Sequence, residues 1–229
     1  STVSGTIIRR VVVGSGPRGI DISLDGSKLY VALNGAGAIA VVDLASYSVG
    51  EIAIGDSLGS SSAWDVVEAR PNRLFASANP GSSGFAWIVQ VATDAGNAYW
   101  RVAGHTIIRA GPELVKAVDG TTLYVGEGFS PNSLYRLNLL DPLAPIVLED
   151  QHGAVSGTDR MSLSRDGTRI YLRSGQVLRT ESFIQAGVVS SGIPQVSADG
   201  QRLFVAGCRT TDYTCADNIV EVFSTQTFL

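Results

Sequence analysis

Residues 21–32 read Asp-Ile-Ser-Leu-Asp-Gly-Ser-Lys-Leu-Tyr-Val-Ala, and an Asp-Gly pair joins two short β-rich runs within them. Asp-Gly between alternating runs is a strong hairpin signal, because the turn needs a residue with positive φ. The second run contains an aliphatic residue followed by an aromatic one. This pair recurs at Leu29-Tyr30, Leu74-Phe75, Leu123-Tyr124, Ile170-Tyr171 and Leu203-Phe204. The chain is therefore predicted to repeat one hairpin-containing unit.

The spacing of the repeat predicts the fold class. Four of the five copies follow an Asp-Gly pair, and Pro71-Asn72 takes its place in the second copy. Successive copies lie 45, 49, 47 and 33 residues apart, with 55 residues from the last to the first around the chain ends. Since a four-stranded propeller blade takes about 40–45 residues, we expect one all-β domain over residues 1–229, a five-bladed β-propeller with antiparallel blades. The predicted units are about 14–55, 56–104, 105–150, 151–190 and 191–229 plus 6–13.

The two ends of the chain predict how the ring closes. The last unit has sequence for three strands, Pro194–Ala198, Gln201–Ala206 and Asn218–Ser224. The run Thr6–Val13 precedes the first unit and has no unit of its own. We therefore expect Thr6–Val13 to complete the fifth blade. Such closure satisfies the main-chain groups that an open sheet edge exposes.

Composition excludes two classes of partner. The formal net charge is −4, and the 17 Lys and Arg residues are scattered along the chain. This distribution gives no basic surface for nucleic acid. No run reaches the roughly 18 apolar residues of a membrane-spanning helix. We expect neither nucleic acid nor a membrane span.

The two cysteines indicate the cellular compartment of the protein. Cys208 and Cys215 lie in one polar segment, and neither histidine is close to them in sequence. This arrangement is more typical of a local disulfide than of a metal site. Since disulfides persist in oxidising surroundings, the pair favours an extracellular, periplasmic or cell-surface location.

The first unit resembles a known repeat. Residues 16–32, Gly-Pro-Arg-Gly-Ile-Asp-Ile-Ser-Leu-Asp-Gly-Ser-Lys-Leu-Tyr-Val-Ala, and residues 39–43, Ile-Ala-Val-Val-Asp, are similar to the YVTN-type β-propeller repeat. The resemblance is strong over residues 14–55, fair at 111–140 and 158–173, and weak in the second and fifth units. It implies a propeller of the kind found in bacterial and archaeal secreted and surface proteins and in lactonase-like propellers. Because propellers carry many activities, it implies fold more than function.

The candidate ligand site lies where the inner strands begin. In a propeller the first strand of each blade is the inner strand, and the five inner strands converge on the axis. Polar residues at the positions where these strands begin can therefore face one another. The long irregular connections, 55–63, 79–84, 104–111, 127–133, 150–158 and 207–217, share this face, and such loops usually carry binding groups. The predicted ligand-binding residues are Arg18, Trp64, Asp65, His105, Glu113 and Arg160. Solvated, mutually neutralising charges at the channel rim are the alternative interpretation of the charged residues in this set.

Two further patterns, one around Ser57 and one formed by the two histidines, could indicate catalysis. Residues 55–59, Gly-Asp-Ser-Leu-Gly, match the G-x-S-x-G pattern, but a β-run follows instead of the helix that a nucleophilic Ser57 requires. We therefore expect no catalysis by Ser57. His105 and His152 both fall in connections between units, where exposed loop residues are the usual occupants. No Gly-rich phosphate loop, zinc spacing or EF-hand pattern is present, so no cofactor and no metal site are predicted.

Three functions remain open from the sequence. The favoured one is a secreted or surface binding module whose ligand is a protein or a carbohydrate. The second is a hydrolase of lactonase or glycosidase type that uses the channel carboxylates Asp65, Glu113 and Asp159, and dependence on a divalent ion would favour it. The third is a structural repeat domain of a larger surface assembly.

Overall fold

The computed structural model describes residues 5–54, 61–80, 85–96, 98–101, 108–109, 111–129, 132–141, 146–149, 154–211 and 214–227. Its strands form five antiparallel sheets, numbered here in chain order. The first sheet holds β1 (Pro17–Ile22), β2 (Lys28–Leu33), β3 (Ala38–Asp43) and β4 (Val49–Ala53). The second holds β5 (Ser61–Arg70), β6 (Arg73–Pro80), β7 (Phe85–Ala92) and β8 (Ala98–Arg101), and β9 (Ile108–Arg109) also pairs with β7.

The remaining three sheets follow in the same way. The third sheet holds β10 (Glu113–Lys116), β11 (Thr122–Gly126), β12 (Leu134–Asn138) and β13 (Ile146–Glu149). The fourth holds β14 (Met161–Leu163), β15 (Arg169–Leu172), β16 (Gln176–Arg179) and β17 (Gln185–Val188). The fifth holds only β18 (Ile193–Val196), β19 (Arg202–Thr211) and β20 (Thr214–Ser224). Apart from β9, strand order follows chain order in every sheet, so each sheet is built as an antiparallel meander.

The predicted Asp-Gly hairpins are present. In the first sheet Gly26 has a φ of 73°, and Ser23 Oγ and the Ser27 backbone N–H both donate to Asp25 Oδ1. These hydrogen bonds to the charged form lower the pKa of Asp25 to about 2. Asn72 takes the glycine's place in the second sheet with a φ of 59°, a conformation that Asn tolerates better than most residues.

Apolar side chains pack between successive sheets. The aromatic residue of each repeated pair faces the following sheet: Tyr30 packs with Leu74 of the second sheet, and Phe75 packs with Leu123 of the third. Tyr124 and Ile170 do the same between the third and fourth sheets. An inner sheet therefore buries both of its faces, which explains the near-continuous apolar runs of its strands.

The predicted five-blade closure is not found among the described residues. Strand contacts join each sheet to the next, and no comparable set joins the fifth sheet to the first. Residues 6–13 form no strand, and the fifth sheet has no described fourth strand. Instead, this segment crosses the outer face of the first sheet, where Val13 packs beside Val31 and the Arg9 guanidinium lies 5.4 Å from the Tyr47 ring centroid. The sequence shows one strand too few in the fifth unit and one extra run at 6–13, but it does not show that the two lie close enough to pair.

The predicted loop at 207–217 is also corrected. Its described residues belong to β19 and β20, which extend the fifth sheet as a long hairpin with Cys208 opposite Asn218 and Thr210 opposite Cys215. Backbone pairing with the partner strand keeps these residues in strands, although few of them are apolar. The register brings the two cysteines onto neighbouring strands, and their disulfide stays a prediction. Within the described residues, no helix has the length and apolar character needed to cross a membrane.

Candidate functional site

A cavity of about 370 Å³ opens where the inner strands begin. Its walls come from β1, β5 and β10 and from the residue that precedes β14, so four successive sheets contribute to it. The lining residues are Pro17, Arg18, Gly19, Trp64, Asp65, Glu113 and Arg160. Five of the six predicted ligand-binding residues thus meet in one cavity.

Arg18 and Trp64 form a stacked pair on one wall. The Arg18 guanidinium carbon lies 4.3 Å from the centroid of the Trp64 ring, within the range of a cation–π contact. Gly111 packs beside the same ring, since a Cβ atom there would lie 3.1 Å from it, and its φ of 75° suits glycine. Among the described residues no carboxylate forms an ion pair with Arg18. Trp64 therefore holds at the cavity a guanidinium that no carboxylate of the described residues neutralises.

Asp65 forms the floor of the cavity. Its Oδ1 accepts from the Val66 N–H and its Oδ2 from the Leu114 N–H, both at 2.8 Å. The Leu114 bond joins the second sheet to the third. Removal from water raises the pKa of the Asp65 carboxyl to about 6, although these two hydrogen bonds oppose the shift. Asp65 therefore titrates close to neutral pH.

Gly19 explains why Asp65 is so well shielded. The inner strand of the first sheet lies directly against this side chain, and a Cβ atom at position 19 would overlap Asp65 Oδ1. Only a residue without a side chain permits this approach. The sequence Arg18-Gly19 thus places a cation at the rim and removes water from the carboxylate below it.

The remaining charged residues form two separate ion pairs. Arg160 pairs with Glu113 inside the cavity wall. Asp159, which the hydrolase interpretation placed in the channel, instead pairs with Arg173 at 2.6 Å and does not line the cavity. Neighbouring residues of a short loop point in different directions, so sequence adjacency to Arg160 did not place Asp159 in the site.

A second polar cluster was missed from the sequence. Asp21 Oδ2 accepts from the Lys116 ammonium at 2.5 Å and from the Glu68 N–H at 2.8 Å. The buried Glu68 in turn accepts from the Leu24 N–H at 2.6 Å. These contacts tie the inner strands of the first three sheets together. The signal available was that Asp21, Glu68 and Lys116 are charged residues within inner strands.

Several predicted features lie outside the described residues. They are Ser57, His105 and His152. Within the described part of the chain, no group of three or more His, Cys, Asp or Glu side chains could hold a metal ion. The cavity carboxylates do not fit one either, because Asp65 accepts two backbone N–H groups and Glu113 pairs with Arg160.

Comparison with known proteins assigns the fold class. No family model and no curated protein matches the chain. The hydrazine synthase structure from Kuenenia stuttgartiensis matches with a TM-score of 0.72 and 17% identity, over 96% of this chain and 67% of that one. A structure of the mitotic checkpoint complex matches with a TM-score of 0.67 and 14% identity, over 96% and 66%. A gluconolactonase from Xanthomonas campestris matches with a TM-score of 0.61 and 17% identity, over 83% and 69%.

These likenesses show the fold alone. The hydrazine synthase and gluconolactonase structures are β-propeller proteins, so this chain belongs to the β-propeller class. It spans about two thirds of the length of the three structures. These matches show the fold class and not the number of blades.

Proposed function

We propose that the chain is a binding module whose ligand site is the cavity at the entry of the inner strands. The observation that carries this proposal is Arg18, held over the Trp64 ring without a carboxylate partner among the described residues. A guanidinium presents several N–H donors in a planar fork that matches a carboxylate. An Arg that is positioned at a cavity and has no ion-pair partner in the described part of the chain is suited to an anionic ligand.

The other lining residues narrow the ligand class. Asp65 and Glu113 supply carboxylate acceptors in the same cavity as Arg18, and hydroxyl groups can donate to them. A cavity of about 370 Å³ lies at the lower end of the usual range for small-molecule sites. The favoured ligand is a small polyhydroxy carboxylate, such as an acidic sugar. In this proposal Trp64 acts mainly by positioning Arg18, because the guanidinium covers one face of its ring.

A second candidate function uses the same cavity. The raised pKa of Asp65 suits a general base or acid, and a gluconolactonase shares the fold. In lactone hydrolysis, ionised Asp65 would take a proton from the water that attacks the carbonyl carbon. The ring carbon–oxygen bond then breaks, and the released oxygen takes that proton. The product is a hydroxy acid of the favoured ligand class, and no step requires a metal.

One pair of titrations tests both candidates. Calorimetry with D-gluconate measures binding, and proton release with D-glucono-1,5-lactone measures hydrolysis. The binding proposal predicts that gluconate affinity falls at least about tenfold in Arg18→Gln, while Arg173→Gln, which removes an arginine outside the cavity, leaves affinity unchanged. Affinity should also rise as the pH falls through about 6, because Asp65 loses its charge.

The two candidates respond to pH in opposite ways. Hydrolysis by Asp65 requires the ionised carboxylate, so its rate would rise as the pH increases through about 6. An Asp65→Asn variant would abolish turnover but retain gluconate binding. Absence of gluconate binding in the wild type between pH 5 and pH 8, with no lactone turnover, would contradict both functions.

The proposal also covers the type of repeat, the cellular location and the disulfide. We assign the YVTN-type repeat from the sequence of the first unit and an extracellular, periplasmic or cell-surface location from the Cys208–Cys215 pair. The proposed disulfide would tie the tip of the β19–β20 hairpin. Titration of free thiols in the denatured, unreduced protein tests it, and two reactive thiols would contradict it. A structural role in a larger surface assembly is the third alternative, and it predicts no small-molecule binding.

A further inference from the structure

A buried carboxylate lies outside the candidate cavity and contacts the segments that form its walls. Glu127, which follows β11, is 1% exposed and does not line the cavity. Its Oε1 accepts from the Arg109 backbone N–H at 2.8 Å and from the Tyr135 hydroxyl at 3.0 Å. Its Oε2 accepts from the Ser133 N–H at 3.0 Å. Burying a carboxylate is costly unless donors compensate it, so these bonds fix both the side chain and the segments that donate to it.

The Arg109 bond connects the third sheet to a segment that reaches the cavity. Arg109 ends β9, and Gly111 follows two residues later. Gly111 packs against the Trp64 ring, because a Cβ atom there would lie 3.1 Å from that ring. The Trp64 ring in turn carries the Arg18 guanidinium. A shift of β9 away from the buried carboxylate would therefore displace the wall on which Arg18 rests.

The same segment is held again where it enters β10. The buried Ser77 hydroxyl donates to the Pro112 carbonyl at 2.8 Å and accepts from the Asp65 N–H at 3.0 Å. Two residues later the Leu114 N–H donates to Asp65 Oδ2 at 2.8 Å. Glu113 lies between these two contacts and lines the cavity. The segment is thus held at its end by two polar contacts and at its beginning by the buried carboxylate.

The main chain of Glu127 holds a second wall of the cavity. The buried Thr158 hydroxyl donates to the Glu127 carbonyl at 2.8 Å. Thr158 stands two residues before Arg160, which lines the cavity and pairs with Glu113. The Glu127 N–H also donates to the Ser133 carbonyl at 3.0 Å, so the position of this main chain is itself fixed. One residue therefore contacts both the segment that leads to Glu113 and the segment that leads to Arg160.

We propose that Glu127 is a positioning residue of the candidate site. Its carboxylate sets, through β9, where Gly111 meets the Trp64 ring, and its carbonyl sets the position of Arg160. An apolar residue of the same length would leave two backbone N–H groups without an acceptor, and the segments that carry them would move to find one. The inference rests on the proposed function only for the identity of the ligand, since the positions of the walls can be measured without one.

NMR in the absence of ligand tests the positioning. Glu127→Gln keeps the size of the side chain but replaces one acceptor oxygen with an NH2 donor that faces other donors. The Trp64 indole signal should shift, and the Asp65 midpoint should fall from about 6 toward about 4, because burial is the largest cause of its raised pKa. Glu51→Gln, at an exposed carboxylate of β4, should change neither. Tyr135→Phe removes only a hydroxyl from the carboxylate, so it should lower the melting temperature and leave both signals in place.

A purely structural role for Glu127 gives a different result. Glu127→Gln would then lower the melting temperature and leave the Trp64 signal and the Asp65 midpoint unchanged. That result would overturn the proposal.

Thr158→Val tests the second wall and decides the proposal if Glu127→Gln does not fold. The substitution keeps the shape of the side chain and removes the hydroxyl that reaches the Glu127 carbonyl. The Arg160 Nε signal should shift, whereas Thr227→Val, at an exposed threonine, should leave it unchanged. An Arg160 signal that does not respond to Thr158→Val would overturn the proposal.

Calorimetry with D-gluconate tests the consequence for binding. Gluconate affinity should fall at least about fivefold in Glu127→Gln and stay unchanged in Glu51→Gln, although neither residue lines the cavity. Equal affinities in the wild type and Glu127→Gln would overturn the proposal. A wild type that binds no gluconate would contradict the proposed function alone, and the Trp64 and Asp65 signals would still decide the role of Glu127.

Discussion

The junction between the first and second sheets and the outer face of the fifth sheet use similar strands but differ in what covers them. At the junction, Tyr30 and Leu74 are buried, and polar contacts such as that between Asp21 and Glu68 cross between the sheets. On the fifth sheet, Val220 and Val222 remain exposed. The candidate cavity lies at the end of the completed junction. A fully packed inner strand can position Arg18 and shield Asp65, whereas the face of the fifth sheet leaves Val220 and Val222 exposed.

The largest predicted contrast compares two phenylalanines at the same position of the repeat. Phe75 is buried between the second and third sheets, whereas Phe204, which is opposite Val222 on the fifth sheet, is half-buried. Phe75→Ala should lower the free energy of unfolding by about 3–5 kcal/mol, the usual cost of removing a buried aromatic side chain. Phe204→Ala should cost about 1 kcal/mol. Urea denaturation measures both, and equal losses would indicate that the fifth sheet is covered in solution.

A smaller contrast compares two glycines of the first sheet. A Cβ atom at position 19 would overlap Asp65, whereas one at position 50 would meet no heavy atom within 4 Å. Gly19→Ala should lower the free energy of unfolding by about 2 kcal/mol, since overpacking typically costs 1–3 kcal/mol. Gly50→Ala should change it by less than about 0.5 kcal/mol. A neutral Gly19→Ala would show that the first inner strand does not lie against Asp65.

These contrasts separate what the sequence predicts from what it does not. The Asp-Gly turns follow from local chemistry: Gly26 needs a positive φ, and Asn72 can replace it. The site residues Arg18, Asp65 and Glu113 follow from the rule that inner strands converge. Local sequence does not determine the stacking of Arg18 on Trp64, because the two residues are 46 positions apart.

Long-range geometry explains the two corrections. Residues 6–13 supply one extra β-rich run, and the fifth sheet lacks one strand. Whether the two lie close enough to pair depends on how much each sheet turns about the axis. The polar segment that contains Cys208 reads as a loop, but its partner strand supplies hydrogen bonds that no local pattern reveals.

The pH response of two carboxylates gives the next contrast. The pKa of Asp65 is raised to about 6 by burial, and that of Asp25 is lowered to about 2 by hydrogen bonds. The folded pKa of Asp65 exceeds its unfolded value of about 3.9, so its contribution to stability is fully present below about pH 4 and is lost as the pH rises through about 6. The opposite sign holds for Asp25, whose contribution is present above about pH 4 and is lost as the pH falls toward 2.

Carbon-detected NMR of the two carboxyl groups measures this contrast directly. The Asp65 resonance should titrate with a midpoint near 6 and the Asp25 resonance with a midpoint near 2. Unfolding experiments at pH 4.5 and pH 7.5 on the wild type and Asp65→Asn should show a difference on the order of 2 kcal/mol in the contribution of Asp65. An Asp65 midpoint near 4 would mean that the carboxyl is solvated and that the cavity floor is open to water.

The binding proposal is tested most directly by NMR of the tryptophan indole groups during titration with D-gluconate. Trp64 holds Arg18 at the cavity, whereas Trp87 lies on β7 of the same sheet and outside the cavity lining. We expect a saturable shift of the Trp64 indole signal and of the Arg18 Nε signal, with the Trp87 signal unchanged. Binding that shifts residues 118–121 at the Asp-Gly turns and leaves Trp64 and Arg18 unchanged would contradict it.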